Sequence, residues 1–330
     1  MEGQNRKNGA GIQYRVSPFK ANRAPIIKPS RLMPGDQVGV ISPSGPVSES
    51  DLLPGLNLLE SAGFKVRLAP HVYDRQGYLA GNDKDRLSDF HSMFRNPDVK
   101  AVFCARGGYG SLRLLDEIDY TLILENPKIF VGYSDITALL MAIYAKTGLI
   151  TFHGPVVRDF ATKDQENWNN LIKVLSSGDV QKFCLREEGP PLIHEKTAGP
   201  LIGGNLSLIC HLIGTPFLPS LDGCIMFLEE KGESLYRLDR MLTHLSLAGQ
   251  LKRLSGLIGG EFEQCGERSS INRLLMRFSQ GLNIPLATGL RSGHGMKNLT
   301  LPIGLTSELD TNLMTLSITE ACTVERKTRS

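Results

Sequence analysis

Three positions in this chain combine a reactive side chain with a setting that suits it: Ser134, Glu229 and His294. Ser134 closes the run Lys128-Ile-Phe-Val-Gly-Tyr-Ser134, whose β-favouring apolar core, Ile129 to Val131, reads as a buried strand. From Asp135 the apolar residues Ile136, Leu139, Leu140 and Ile143 recur at helical spacing, and Gly148 is a C-terminal stop. A hydroxyl at such a turn lies under the first free N–H groups of a helix, where the dipole favours negative charge. A serine that attacks a carbonyl needs that environment. The same residue also reads as a helix N-cap, because Ser and Asp are both favoured at helix starts. Ile136 stands where G-x-S-x-G has its second glycine, so the stretch is a poor match to an α/β-hydrolase elbow.

Glu229 follows Ile225-Met-Phe-Leu228 directly, which puts a half-buried carboxylate at the mouth of a strand; the competing reading is a surface carboxylate paired with Arg237 or Lys231. His294 lies in Arg291-Ser-Gly-His-Gly-Met-Lys-Asn298, and its flanking glycines give the ring room to face a cleft. The competing reading is a surface loop histidine, and His153, beside Gly154-Pro155, is the main rival for a base. The glycines of Arg106-Gly-Gly-Tyr-Gly110 lack the Lys and Ser/Thr of a P-loop and the spacing of a dinucleotide fingerprint. A tight turn that offers one N–H to an oxyanion fits them as well. No H-E-x-x-H or other zinc spacing is present, so neither a metal nor a cofactor is expected.

The elements that must hold these residues alternate. Strands are predicted at 37–41, 65–68, 99–104, 129–131 and 149–152. Helices are predicted after Ser48, over 85–95, from Gly110 through Leu112, Leu115 and Ile118, and after Ser134. This spacing means βαβ units and a parallel sheet with helices on both faces. Right-handed crossovers put the Ser134 turn and the 106–110 turn on one carboxyl rim, where ligands bind. From about 160 to 198 the pattern loosens; Ser176-Ser-Gly178 and Glu188-Gly-Pro-Pro191 are linker-like. The expected organisation is therefore a leader at 1–27, disordered or packed as a surface arm, an N-terminal domain at 28–165, a linker at 166–198, and a β-rich α/β C-terminal domain at 199–330 carrying Glu229 and His294.

Two domains also suit 330 residues, and 41% hydrophobic with 22% charged residues is ordinary for a globular protein. A net charge of +3 is too small to argue for nucleic acid, and Arg6, Lys7, Arg15, Lys20 and Arg23 read as a solvated arm. The six cysteines include no C-x-x-C pair, which argues against a zinc knuckle or redox motif; Cys104, Cys210 and Cys224 sit in apolar runs and are expected as buried thiols. No apolar run reaches bilayer length, and the N-terminus has no secretory core. The expected setting is the cytoplasm, with no membrane or nucleic-acid partner.

Taken together, Pro34-Gly-Asp36 with Ile41-Ser-Pro-Ser-Gly45, Tyr78-Leu-Ala-Gly81, Cys104-Ala-Arg-Gly-Gly-Tyr-Gly110, Val131-Gly-Tyr-Ser-Asp135, Gly203-Gly-Asn-Leu206, Leu228-Glu229 with Tyr236-Arg-Leu-Asp-Arg-Met-Leu242, and Gly293-His with Asn298 and Pro302-Ile-Gly304 resemble the serine LD-carboxypeptidase family, the muramoyltetrapeptide carboxypeptidases, which also includes the microcin C immunity peptidases. The motifs stand in the family's order over roughly residues 28 to 320. The resemblance implies a flavodoxin-like N-terminal domain with a smaller β-rich C-terminal one, commonly as a homodimer. It implies a Ser134–His294–Glu229 triad and an oxyanion hole from the main-chain N–H groups of Asp135 and Gly108. Arg106, Tyr109 and Asn205 are assigned to substrate binding, with Arg106 or a main-chain nest for a free carboxylate. The implied substrate is a murein tetrapeptide, cut between the L-centre of diaminopimelate or lysine and the terminal D-Ala during cytoplasmic wall recycling. A self-immunity peptidase acting on aminoacyl-nucleotide antibiotics is the alternative within the family, and a non-catalytic small-ligand-binding α/β protein the alternative outside it. The leader matches nothing in the family pattern, and Glu230 with Lys231 departs from it after the glutamate. Strand alternation sends Glu229 and Glu230 to opposite faces, so one of them points into the cleft, and Glu230 is expected to be exposed.

Overall fold

The computed structural model describes residues 25–185 and 195–326; most of the leader, Glu188-Gly-Pro-Pro191 and His194 lie outside them. The first sheet is built from β1 (Gln37–Ile41), β2 (Lys65–Leu68), β3 (Val99–Cys104), β4 (Ile129–Gly132) and β5 (Thr151–His153), all parallel in the order β2-β1-β3-β4-β5. That is the flavodoxin-like order, with ligands expected at its carboxyl edge. The strands β3 and β4 are buried almost throughout, which is why they read as continuous apolar runs and not as alternating ones. The crossovers carry α1 (Glu49–Ser61), α2 (Asp83–Arg95), α3 (Tyr120–Glu125) and α4 (Thr137–Thr147). Ser48 and Asn82 cap α1 and α2 with their side chains.

Two local expectations differ. The helix predicted through Leu112, Leu115 and Ile118 is only a short 3₁₀ turn at Ser111–Leu114, and the first regular helix after it is α3, opened by the Asp119 side chain. The expected linker begins with a helix, α5 (Gln165–Ser176), which buries Trp168, Leu171, Val174 and Leu175 on one face. Its apolar spacing and its Asp164 cap were present in the sequence, but the short strand that follows, Lys182–Cys184, pairs antiparallel and so completes no βαβ unit.

The remaining strands are β6 (Lys182–Cys184), β7 (Lys196–Asn205), β8 (Ile225–Lys231), β9 (Gly256–Glu263), β10 (Leu286–Ala287), β11 (Leu301–Ile303), β12 (Thr306–Asp310) and β13 (Thr315–Ile318). Seven of them form a mixed sheet in the order β10-β9-β8-β7-β12-β13-β6, parallel from β10 to β7 and antiparallel beyond. The eighth, β11, leaves that sheet and pairs antiparallel with β5, closing the edge of the first sheet. The helices α6 (Leu206–His211), α7 (Leu235–Leu247) and α8 (Arg268–Leu282) cover the second sheet.

Helix α4 lies between the two sheets, packed on β4 and β5 from one side and on β7 and α6 from the other. It is buried continuously from Thr137 to Tyr144, so it is apolar all round and not amphipathic. The sandwich brings the carboxyl ends of β4 and β8 toward one cleft. Among the described residues no helix is long and apolar enough to cross a membrane, and all six cysteines are free thiols, Cys184 alone being exposed.

Candidate active site

The site starts where β4 ends. Tyr133 continues the extended backbone, and Ser134 then adopts φ +64°, a left-handed conformation that costs a non-glycine residue roughly 1 kcal/mol or more. A single 3₁₀ turn, Ser134–Ile136, leads into α4 without any side-chain cap. The serine hydroxyl therefore does not cap the helix. It donates instead to Nε2 of His294, 3.0 Å away. The turn is crowded by the 106–110 loop: a Cβ on Gly107 would stand 2.9 Å from the Cβ of Ser134 and 3.2 Å from its Oγ. A side chain at 107 would therefore collide with the serine.

On its other side the His294 ring gives Nδ1 to Glu229 Oε2 at 2.6 Å. A carboxylate only accepts, so the proton is on Nδ1 and Nε2 is left as the acceptor for the serine. The Glu229 side chain is completely buried and that of His294 is 10% exposed. Two features bring them together. The pairing of β8 with β9 slips between Leu228 and Glu230, so that Gly260 and Glu261 of β9 oppose Glu229 alone, a bulge that bends β9 beside the glutamate. Gly293 has φ +128°, and a Cβ there would lie 2.8 Å from Glu229 Oε2. The ring of Tyr133 lies 4.9 Å from the imidazole and fixes its plane from the side.

The loop that carries His294 is held by α5. Asn167 accepts from the main chain of Asn298 at 2.8 Å and donates to Met296 O at 2.9 Å, and Asn170 accepts from Thr300 N at 2.7 Å. Glu166 adds ion pairs to Arg291 and Lys297. Inside the loop Asn298 Oδ1 accepts from Gly293 N at 3.0 Å.

A cleft of roughly 190 Å³ opens over Ser134 and His294, walled by Gly107, Gly108, Tyr133 and Val156 and by the charged Arg106, Arg158, Asp159 and Lys231. Gly108, φ +121°, has no acceptor for its N–H among the described residues and faces this space. The Asp135 N–H belongs to the turn beside it. The Asp135 side chain has a role the sequence did not suggest. It is buried and accepts from Ser44 Oγ at 2.6 Å, Ser111 N at 2.9 Å and Ser111 Oγ at 2.6 Å, which binds the loops after β1, β3 and β4 to one another.

Other expected residues stand elsewhere. Asn205 is buried, with Oδ1 capping α6 through Leu208 N and Nδ2 donating to Glu230 at 2.8 Å, so both ends of its amide are committed. Tyr109 is 46% exposed and packs edge-on against Tyr78, outside the cleft wall. Arg106 does line the cleft, anchored by a bond to Pro46 O at 2.8 Å. Glu230 is 3% exposed and not a surface charge; it accepts from Asn205 and from Ser207 N at 2.8 Å. His153 is fully buried with no partner on either ring nitrogen among the described residues, and burial pushes its pKa down to about 4. It is a neutral core histidine. Outside the cleft wall, His71, Asp74 and Asp85 converge closely enough to hold a cation, a grouping that their sequence spacing hides.

A serine hydroxyl bonded to an imidazole that is oriented by a buried carboxylate, beside a free main-chain N–H, can perform acyl transfer. Comparisons with known proteins agree with that chemistry. A family model described as the LD-carboxypeptidase N-terminal domain matches residues 38–154, and one described as the LD-carboxypeptidase C-terminal domain matches residues 198–309. The probable murein peptide carboxypeptidase of Bacillus subtilis is 38% identical over 292 residues, covering 86% of this chain and 92% of that protein. Among solved structures, the muramoyltetrapeptide carboxypeptidase from Oxalobacter formigenes superposes with a TM-score of 0.76 at 32% identity, covering 85% of this chain and 97% of that one. The microcin C7 self-immunity protein MccF in its wild-type apo state superposes with a TM-score of 0.84 at 28% identity, covering 90% of this chain and 100% of that one.

Proposed function

The chain belongs to the LD-carboxypeptidase family, and from that premise we propose that it is a serine LD-carboxypeptidase releasing the terminal D-Ala from murein tetrapeptides. The observation that carries the reading is the continuous chain from Ser134 Oγ and the His294 ring in the cleft wall to the buried Glu229 behind them. His294 Nε2 takes the proton of Ser134 as Oγ attacks the carbonyl carbon of the third residue. The tetrahedral oxyanion is received by the N–H groups of Gly108 and Asp135, and the imidazolium is stabilised by Glu229. The same proton then passes to the amine of D-Ala as the C–N bond breaks. A water, deprotonated by His294, releases the acyl group. The reading carries with it a cytoplasmic role in wall recycling. The homodimer implied by the resemblance is a separate matter, read by sedimentation. The test is incubation with a murein tetrapeptide followed by mass spectrometry. Loss of one alanine by the wild-type protein and not by Ser134→Ala is expected, and an intact tetrapeptide would sink the assignment.

A second reading has one observation in its favour, the higher TM-score to MccF. Solved structures of MccF include a complex with aspartyl sulfamoyl adenosine. Against such a substrate here, a nucleobase binds by stacking on an aromatic face, and the two rings among the cleft-lining residues, Tyr133 and His294, are already tilted against each other. Offering an aminoacyl-sulfamoyl adenosine beside the tetrapeptide separates the two.

A further inference from the structure

A peptidase that removes a single terminal residue must recognise the free carboxylate that makes the residue terminal. That carboxylate carbon is two bonds from the leaving nitrogen, so its subsite lies within a few ångströms of Ser134 Oγ, in the same cleft. Three cationic side chains line it, Arg106, Arg158 and Lys231. Arg158 lies in a 3₁₀ turn, Val157–Asp159, and its N–H bonds the carbonyl of Ala105 at 3.2 Å, directly before Arg106. The two arginines thus leave the backbone side by side.

Neither guanidinium is neutralised. Arg106 bonds a neutral carbonyl, Pro46 O, and takes part in no ion pair among the described residues; the Arg158 side chain has no hydrogen-bond or ion-pair partner among them. The one carboxylate in the cleft wall, Asp159, is already engaged by the Tyr133 hydroxyl at 2.7 Å and by Lys163 at 3.4 Å. Burial and then the charge of Arg158 push the Arg106 pKa down. Two half-buried like charges with a shared open space between them are relieved by an anion, and the planar fork of a guanidinium matches a carboxylate.

We propose that Arg106 and Arg158 form a clamp for the free C-terminal carboxylate of the substrate, making Arg158 a specificity residue for the release of a terminal residue. The proposal rests on the carboxypeptidase reading above. It deepens it by assigning the charge that distinguishes a chain end from an internal peptide bond. Arg158 stands outside the family-like motifs of the sequence, and its turn is tied to the Ala105 carbonyl beside the cleft.

Arg158→Gln is the clean variant, because its main-chain bond survives and its guanidinium holds no other part of the fold among the described residues. The measurement is kcat/KM on a tetrapeptide ending in D-Ala and on the same peptide ending in D-alaninamide. Wild type is expected to prefer the acid strongly, and Arg158→Gln to lower the acid-over-amide ratio about 10- to 100-fold, the worth of a charge-assisted hydrogen bond. An unchanged ratio overturns the clamp, as does a ratio that collapses in Lys231→Met and not in Arg158→Gln. If wild type cleaves neither peptide, the murein reading falls. The clamp is then judged by calorimetric binding of the two peptides to Ser134→Ala protein. A preference for the acid that Arg158→Gln abolishes supports the clamp, and equal binding or none overturns it.

Discussion

At the scale of single residues, the contacts of Ser134, His294 and Glu229 make their substitutions strongly non-additive. Ser134→Ala and His294→Ala are each expected to lower kcat by orders of magnitude with the fold intact, and the double variant to be little worse than either, because one proton serves both groups. Multiplicative losses would mean that the two do not share a step. The neighbouring glutamates separate catalysis from stability. Glu229→Gln keeps the packing but puts an amide where the imidazolium needs a charge, and a loss of roughly 10² or more in kcat is expected. Glu230 is buried and accepts from Asn205 and Ser207, so Glu230→Gln should leave kcat within about threefold while lowering stability by about 1–3 kcal/mol through a mismatched donor. Kinetics and urea melts of the pair check both halves; a crippled kcat in Glu230→Gln would move the orienting role to that residue. That Ser134, Glu229 and His294 were candidates was legible because each stood out against its local pattern; the structure shows that they meet. The surroundings of Asn205 were not legible, because a residue in a recurrent motif can serve the backbone as well as a ligand, and its amide is spent on a helix start and a carboxylate.

At the scale of elements, α5 lies where a linker is expected from the sequence, and it holds the His294 loop. The apolar stripe Trp168, Leu171, Val174 and Leu175 fixes the helix on the core, and its polar edge then has Asn167 and Asn170 aimed at the His294 loop. That edge could not be read from the chain, because its partners lie about 130 residues further on. By contrast, the β1–β5 alternation was legible, since each crossover is local and apolar strands between polar helices leave little choice. Asn167→Ala leaves the N–H of Asn298 and the carbonyl of Met296 without their partners, which costs about 1–3 kcal/mol. A loop so loosened holds His294 less often in register with Ser134, and kcat should fall about tenfold with little change in KM. The checks are steady-state kinetics together with hydrogen exchange over residues 292–299. Faster exchange with unaltered kcat would show that α5 supports the loop without setting the geometry of the histidine.

At the scale of the whole molecule, the Ser134–His294–Glu229 contacts depend on two sheets staying closed over α4, since Ser134 comes from one and Glu229 from the other. His153 is a reporter of that closure. It ends β5 in the first sheet and packs its ring 5.1 Å from Phe227 of β8 in the second, with 6.0 Å to Tyr133. Burial is the main cause of its pKa falling to about 4, opposed by the charge of Glu229 and reinforced by that of His294. The unfolded chain, with an ordinary value near 6.5, therefore binds the proton more readily than the folded protein. The sign follows: the neutral ring's contribution is fully present above about 6.5 and is lost progressively as the pH falls toward about 4. Between pH 7 and pH 5 wild type should lose about 2 kcal/mol through this group alone. Other groups titrate in the same window, so the informative quantity is the difference between wild type and His153→Gln, measured by urea unfolding at each pH. That difference should shrink by about 2 kcal/mol from pH 7 to pH 5, because the variant has nothing to protonate. A difference that stays constant would mean that His153 already titrates normally in the folded protein, and hence that water reaches the seam between the sheets at the level of the active site.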